Sequence, residues 1–197
     1  MPRRSIKEER RTQILDAFEI CVARYGVEGA TLERVAEEAG LARPLIRHNV
    51  GNRDDLLDAL LERYLESSEQ SMRELVAALP KDKRLETLID WLFDPAMVDH
   101  REVLVSNALS AAAAERPKLA RAMRDWTRAF IAVIARVVAA AHPEAEEAAV
   151  EAVAAGIAAA YLSVESMAPL GPMTDLRRAS KAAAQRLAGT LNAISTA

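Results

Sequence analysis

Between Thr31 and Arg53 the chain gathers side chains suited to holding anions and hydrogen-bonding bases: Arg43, Arg47, His48, Asn49 and Arg53, interleaved with Leu45, Ile46 and Val50. A guanidinium is a planar fork of donors that matches guanine O6 and N7, or a phosphate, with two hydrogen bonds at once. Arg43 and Arg47 are four residues apart, which on a helix places them on one face. Arg43 falls early in that helix, where base edges are reached, and is expected to read a base. Arg47 is expected to bind phosphate, with a base as the other option. His48 and Asn49 are candidate backbone contacts. Pro44 sets the geometry of the first turn, and its ring can touch a thymine methyl. The alternative for each of these residues is an ordinary solvated surface side chain.

Such a face works only if something holds it at a fixed angle. Leu32, Val35, Ala36 and Ala39 recur at helical spacing, and Thr31 stands at the position of an N-cap. A helix N-terminus attracts anions, so the Thr31 hydroxyl and neighbouring amides can hold a phosphate as well as cap. Ala39-Gly40-Leu41 breaks the period, and Gly40 can adopt the left-handed conformation that ends one helix and aims the next. A second helix of roughly Arg43 to Val50 follows, packed through Leu45, Ile46 and Val50. A short cationic helix held by a packed partner is the helix-turn-helix arrangement for the major groove of DNA.

The flanks supply the scaffold. A first helix from about Glu8 to Tyr25 carries Ile14, Phe18, Cys21, Val22 and Tyr25 on one stripe, and Gly26 closes it. After Gly51, Asn52 caps a long helix whose first turn holds Asp54 and Asp55, at the positive end of its dipole. Its stripe runs through Leu56, Leu57, Leu60, Leu61, Tyr64 and Leu65 and resumes from Met72 to Leu79. Ahead of this unit, Arg3, Arg4, Lys7, Arg10 and Arg11 are either a solvated tail or contacts to phosphate or a minor groove.

Beyond Pro80, Pro and Gly punctuate further helices: Lys81 to Phe93, Arg101 to Glu115, Pro117 to Ala141, Glu144 to Met167 and Leu176 to Ile194. No segment has the two-residue alternation of a strand. The expected fold is all-α: a tri-helical helix-turn-helix domain over residues 1–53 and a helical regulatory and dimerisation domain over residues 54–197.

Composition limits the alternatives. The 197 residues are 51% hydrophobic and 28% charged, enough for a substantial core, with a net charge of -3. Any nucleic-acid surface must therefore be a local patch. Cys21 is the single cysteine, so no intrachain disulfide or cysteine-based zinc site forms. The charged N-terminus has no apolar signal core, and Arg136 and Glu151 interrupt the later apolar runs. A cytoplasmic protein with no membrane association is expected. His48, His100 and His142 are scattered, and neither a phosphate-cradling glycine loop nor a nucleophile motif is present, which argues against an enzyme and against a bound metal or cofactor.

Ala148 to Ala160 and Ala179 to Gly189 are rich in small residues, which let helix axes approach closely. Two such helices from each subunit suit a four-helix homodimer interface, and a helix-turn-helix protein on a symmetric site needs a dimer. The other possibility is an internal alanine-rich core. Trp91, Phe93, Met97, His100, Asn107, Trp126, Phe130, Tyr161 and Glu165 are candidates to line a ligand cavity among apolar helices.

From Arg10 to Leu61 the chain resembles the TetR family of bacterial transcriptional repressors. The resemblance is carried by Tyr25-Gly26, Gly29-Ala30-Thr31-Leu32, Val35-Ala36, Ala39-Gly40-Leu41 and Asn52-Arg53-Asp54-Asp55-Leu56-Leu57. It implies a ligand-responsive repressor binding a near-palindromic operator as a dimer, with Arg53 as the phosphate-binding cation and a small-molecule effector bound in the second domain. One departure stands out: the family usually has tyrosine where Arg47 stands and an aromatic residue near Asn49 or Val50. The operator sequence therefore does not carry over. A helical ligand-binding or protein-interaction module without DNA binding is the competing reading, and it predicts weak, salt-insensitive association with duplex.

Overall fold

In a computed structural model that describes residues 6–194, every regular element among them is helical. The α-helices are α1 (Ile6–Gly29), α2 (Leu32–Ala39), α3 (Arg43–Val50), α4 (Arg53–Ala78), α5 (Arg84–Leu92), α6 (His100–Ala112), α7 (Pro117–Ala141), α8 (Glu147–Ser166) and α9 (Thr174–Ile194). Arg3 and Arg4 lie outside the described residues. Packing divides the chain into two compact units, Met1–Gln70 with Leu104–Met123, and Ser71–Val103 with Arg124–Ala197.

The first unit is built on α1. Ile14, Phe18, Cys21 and Val22 are buried along its inner stripe, and burial pushes the Cys21 thiol up from its ordinary pKa. Tyr25, expected on that stripe, is instead 49% exposed. The backbone leaves helical geometry at Gly26, φ 71 and ψ 172, and the turn that follows carries Val27 inward while Tyr25 turns outward. The Arg34 guanidinium covers the Tyr25 ring at 4.4 Å from its centroid. Gly26 is thus the break that its position suggested, although one more helical turn follows it.

Helices α2 and α3 both pack on α1 and on each other. Gln13 donates to the carbonyl of Ala39 at 2.9 Å, joining α1 to the end of α2. Arg63 of α4 pairs with Asp16 at 2.5 Å and with Glu19 at 3.3 Å, both on α1. Leu56, Leu57, Leu60, Leu61 and Tyr64 of α4 are buried, as their spacing predicts, and the Tyr64 hydroxyl donates to Ser106 of α6 at 2.9 Å.

The second unit has its own core. Leu85, Leu88, Ile89 and Leu92 of α5 cluster with Ile134, Val137 and Val138 of α7, Val153, Ala154 and Ile157 of α8, and Ala184, Ala188 and Leu191 of α9. Helix α4 is capped at its C-terminal end by Arg84, which donates to the carbonyls of Val76 and Leu79 at 3.0 Å each. Helix α8 is the most apolar element: its best window has mean hydropathy 1.4, and only 33% of that window is buried within the chain. Length and composition alone would let it cross a membrane. Val150, Val153, Ala154, Ile157, Ala158, Val164 and Glu165 of α8 are buried, and the helix packs on α9 within the core of the second unit.

Candidate nucleic-acid interface

The turn between α2 and α3 takes the shape its sequence allows. Thr31 is extended, φ -73 and ψ 156, and its hydroxyl accepts the Arg34 amide at 3.4 Å, so it is the N-cap of α2. Gly40 is left-handed, φ 64 and ψ 32. From there the Gly40 amide reaches the carbonyl of Glu37 at 3.1 Å and the Leu41 amide that of Ala36 at 2.9 Å. These bonds satisfy the last carbonyls of α2 and redirect the chain, a geometry that a side chain at position 40 would oppose.

Helix α3 then spans the residues its periodicity predicts. Ile46 is fully buried, Leu45 and Val50 are partly buried, and Pro44 occupies the first turn, where its missing amide costs nothing. Arg43, Pro44, Arg47 and His48 are all exposed. The opposite sides of α3 are therefore an apolar anchor and a cationic face. Asn49 differs from its neighbours: it is half-buried, and its amide donates to the Leu45 carbonyl of its own helix at 2.8 Å.

The start of α4 is locked by a reciprocal cap. The Asn52 side chain accepts the amides of Asp54 at 2.8 Å and Asp55 at 3.0 Å, while the Asp55 carboxylate accepts the Asn52 amide at 2.8 Å. Gly51 precedes it at φ 83 and ψ -140, and a Cβ there would run into the Asp55 carboxylate. Gly51→Ala is expected to lower stability by about 1–3 kcal/mol through combined backbone strain and disruption of this cap. Denaturant unfolding of both proteins checks the value, and an unchanged midpoint would show that the turn relaxes freely.

Two acidic residues that sequence spacing did not single out organise the cations. Glu33, in the first turn of α2, pairs with Arg43 at 2.6 Å, both side chains being exposed. Its own backbone amide, then the Arg43 guanidinium and the Thr31 hydroxyl, hold its carboxyl below the usual value. Glu28 takes two guanidiniums, Arg116 at 2.6 Å and Arg53 at 3.0 Å, and Arg53 also donates to the carbonyl of Val27. Arg53 is thereby drawn back to the turn after α1. No periodicity could have found either pair, because both join residues across turns between helices.

The Glu28 carboxyl is held low chiefly by its hydrogen bond from Arg116, then by that from Arg53. A depressed folded-state pKa stabilises the fold at pH above the unfolded value, and that stabilisation fades as pH falls through the folded value. The thermal midpoint of the wild type is therefore expected to exceed that of Glu28→Gln near neutral pH, and the gap to close below the ordinary value of 4.5. A gap that persisted unchanged into that acid range would rule out the charge as its source.

Of the candidate ligand residues, the second unit brings several together. Trp126 stacks on Phe130 with centroids 6.0 Å apart, Phe130 lies 5.6 Å from Tyr161, and Tyr161 meets Phe93 edge-on at 6.1 Å. Glu165, buried one turn from Tyr161, pairs with Arg177 of α9 at 2.7 Å. Burial, with the Glu165 carboxylate next, drives the Tyr161 phenol upward, so it stays a neutral hydroxyl. Trp91 packs partly buried against the same core. Met97 and His100 are exposed, and Asn107 belongs to the first unit. Among the described residues no group of three or more His, Cys, Asp or Glu is placed to hold a metal ion.

The geometry defines a helix-turn-helix unit in a chain whose regular elements are all helical among the described residues, and known proteins carry the same likeness. No family model matches the chain. A curated relative, the HTH-type transcriptional regulator BetI of Stenotrophomonas maltophilia (strain R551-3), is 28% identical over 126 residues, which is 63% of this chain and 64% of that protein. The chain thus matches somewhat less than two thirds of that relative's length. A TetR transcription regulator from Haloarcula marismortui superposes with a TM-score of 0.75 at 17% identity, covering 93% of this chain and 98% of that one. A transcriptional regulator from Pseudomonas aeruginosa PAO1 superposes with a TM-score of 0.71 at 22% identity, covering 96% and 93%. The chain therefore shares the fold of TetR-type regulators and, over about two thirds of its length, is similar in sequence to HTH-type transcriptional regulators.

Proposed function

We propose that the chain is a sequence-specific DNA-binding transcriptional regulator, a cytoplasmic repressor that binds a near-palindromic operator as a homodimer and is released by a small-molecule effector. The observation that carries this reading is α3 itself. An eight-residue helix buries Ile46 and turns Arg43, Pro44, Arg47 and His48 to solvent, directly after a glycine-capped partner helix. Residues 1–53 would form the DNA-binding domain and residues 54–197 the regulatory and dimerisation domain. The curated relatives are named as transcriptional regulators, which supports regulation over enzyme chemistry.

The homodimer is supported by what α8 and α9 leave uncovered. Ala152, Ala155 and Ala159 are exposed along one side of α8, and Ala179, Ala183 and Leu187 along one side of α9. Two copies of such a pair can approach closely enough to close a four-helix interface. For the effector, the Trp126–Phe130–Tyr161–Phe93 chain beside the Glu165–Arg177 pair offers an aromatic surface with a few polar groups, the make-up of small-molecule sites. An effector that prefers one of two dimer states would separate the two α3 helices from their operator spacing.

A gel-shift titration against duplexes from around the protein's own coding region, run over a series of salt concentrations, tests the reading. Steep salt dependence with preference for one duplex is expected. Weak association, equal on all duplexes and indifferent to salt, would leave a helical interaction module instead.

A further inference from the structure

We propose that Glu33 is a positioning residue for base recognition: its carboxylate grips one end of the Arg43 guanidinium and thereby aims the rest of it at a guanine. The inference rests on the DNA-reading role proposed for α3. The contact runs from Glu33 Oε1 to Arg43 Nη1 at 2.6 Å. It leaves Nε and Nη2, a parallel pair of donors, for the O6 and N7 acceptors of guanine in the major groove.

The backbone of Glu33 is held in place: it sits in the first turn of α2, two residues after the N-cap Thr31, whose hydroxyl accepts the Arg34 amide. Arg43 on its own is a long exposed side chain in the first turn of α3, and ordering it costs conformational entropy on binding. A partner that orders it beforehand reduces that cost for the one orientation it favours. The same carboxylate repels phosphate, so a register that offers no guanine edge gains little from Arg43. One side chain thus favours the matched site and disfavours the rest. Arg47 and His48, exposed on the same helix, are left to the phosphates.

The test compares the full-length wild type with Glu33→Ala, Glu33→Gln and Arg43→Ala, alone and combined. The probes are the duplex most enriched from a random-sequence library by the wild type, and mixed-sequence duplex. Glu33→Ala is expected to weaken binding to the enriched duplex about tenfold while leaving mixed-sequence affinity equal or slightly tighter. A repeated selection should lose the guanine preference at one position of each half-site. Glu33→Gln, which can still accept from Arg43, should fall between, and Glu33→Ala should add nothing in the Arg43→Ala background. Unchanged discrimination by Glu33→Ala, parallel loss on both probes, or a persistent effect without Arg43 overturns the proposal while the DNA-reading role stands. Failure of the wild type to enrich any duplex overturns both.

Discussion

Arg47→Glu is expected to abolish operator binding while the protein stays folded. Arg47 is exposed on the outer face of α3, one turn beyond Arg43. Replacing its guanidinium with a carboxylate removes an attraction to phosphate and substitutes a repulsion at the same place. A single lost contact of this kind costs about 1–3 kcal/mol, and in the proposed homodimer both half-sites lose it. The affinity should therefore fall by a factor on the order of 100 or more. The Arg47 side chain is exposed, and its carbonyl, which accepts the Gly51 amide that ends α3, is kept in the variant, so circular dichroism and the thermal midpoint should stay close to the wild type. Equal gel-shift affinity would remove α3 from the interface.

Ile46→Ala reaches the same end through packing. Eight residues are too few for a helix to persist alone in water. Ile46 is the one fully buried side chain of α3, with Leu45 and Val50 only partly covered. Truncating it to alanine should cost about 2–4 kcal/mol, and the loss should fall first on α3. Amide hydrogen exchange over residues 43–50 is expected to accelerate strongly while α1 and α4 stay protected, and DNA affinity should drop with it. Ile46→Val, a smaller truncation, should cost only about 1 kcal/mol and retain most binding. Wild-type exchange rates in the Ile46→Ala protein would mean that something other than this side chain anchors the helix.

The two substitutions illustrate which parts of the molecule were legible in its sequence. Helix α3 was, because its buried and exposed positions alternate with helical spacing and because Gly40 and Pro44 mark where the backbone must change direction. The cap at Asn52 was equally local: an Asn followed by acidic residues at the start of an apolar stripe has few other uses. Each of these signals lies within one or two turns of chain. Tyr25 shows the limit. Its spacing put it on the inner stripe of α1, but the backbone rotates at Gly26, and the ring ends outside beneath Arg34. A periodicity counts residues and cannot see a kink one residue away.

The charge pairs show a different limit. Glu33 lies ten residues before Arg43, and Glu28 twenty-five before Arg53, distances at which no helical pattern connects them. Only the angle between α2 and α3, and the packing of α4 against the turn after α1, bring them within reach. The candidate ligand residues divide in the same manner. Trp126 and Phe130 are four apart on α7 and stack, as i and i+4 residues can, while their contact with Tyr161 and Phe93 depends on tertiary packing. Met97 and His100 were chosen for their chemistry, and the chain leaves both at its surface.

The most direct test of DNA reading by α3 is selection of duplex from a random-sequence library by the purified full-length chain, run in parallel with Arg47→Glu. Enrichment of an inverted repeat by the wild type, absent for the variant, is the predicted result. Enrichment of no sequence by the wild type, or of the same repeat by both proteins, would contradict it.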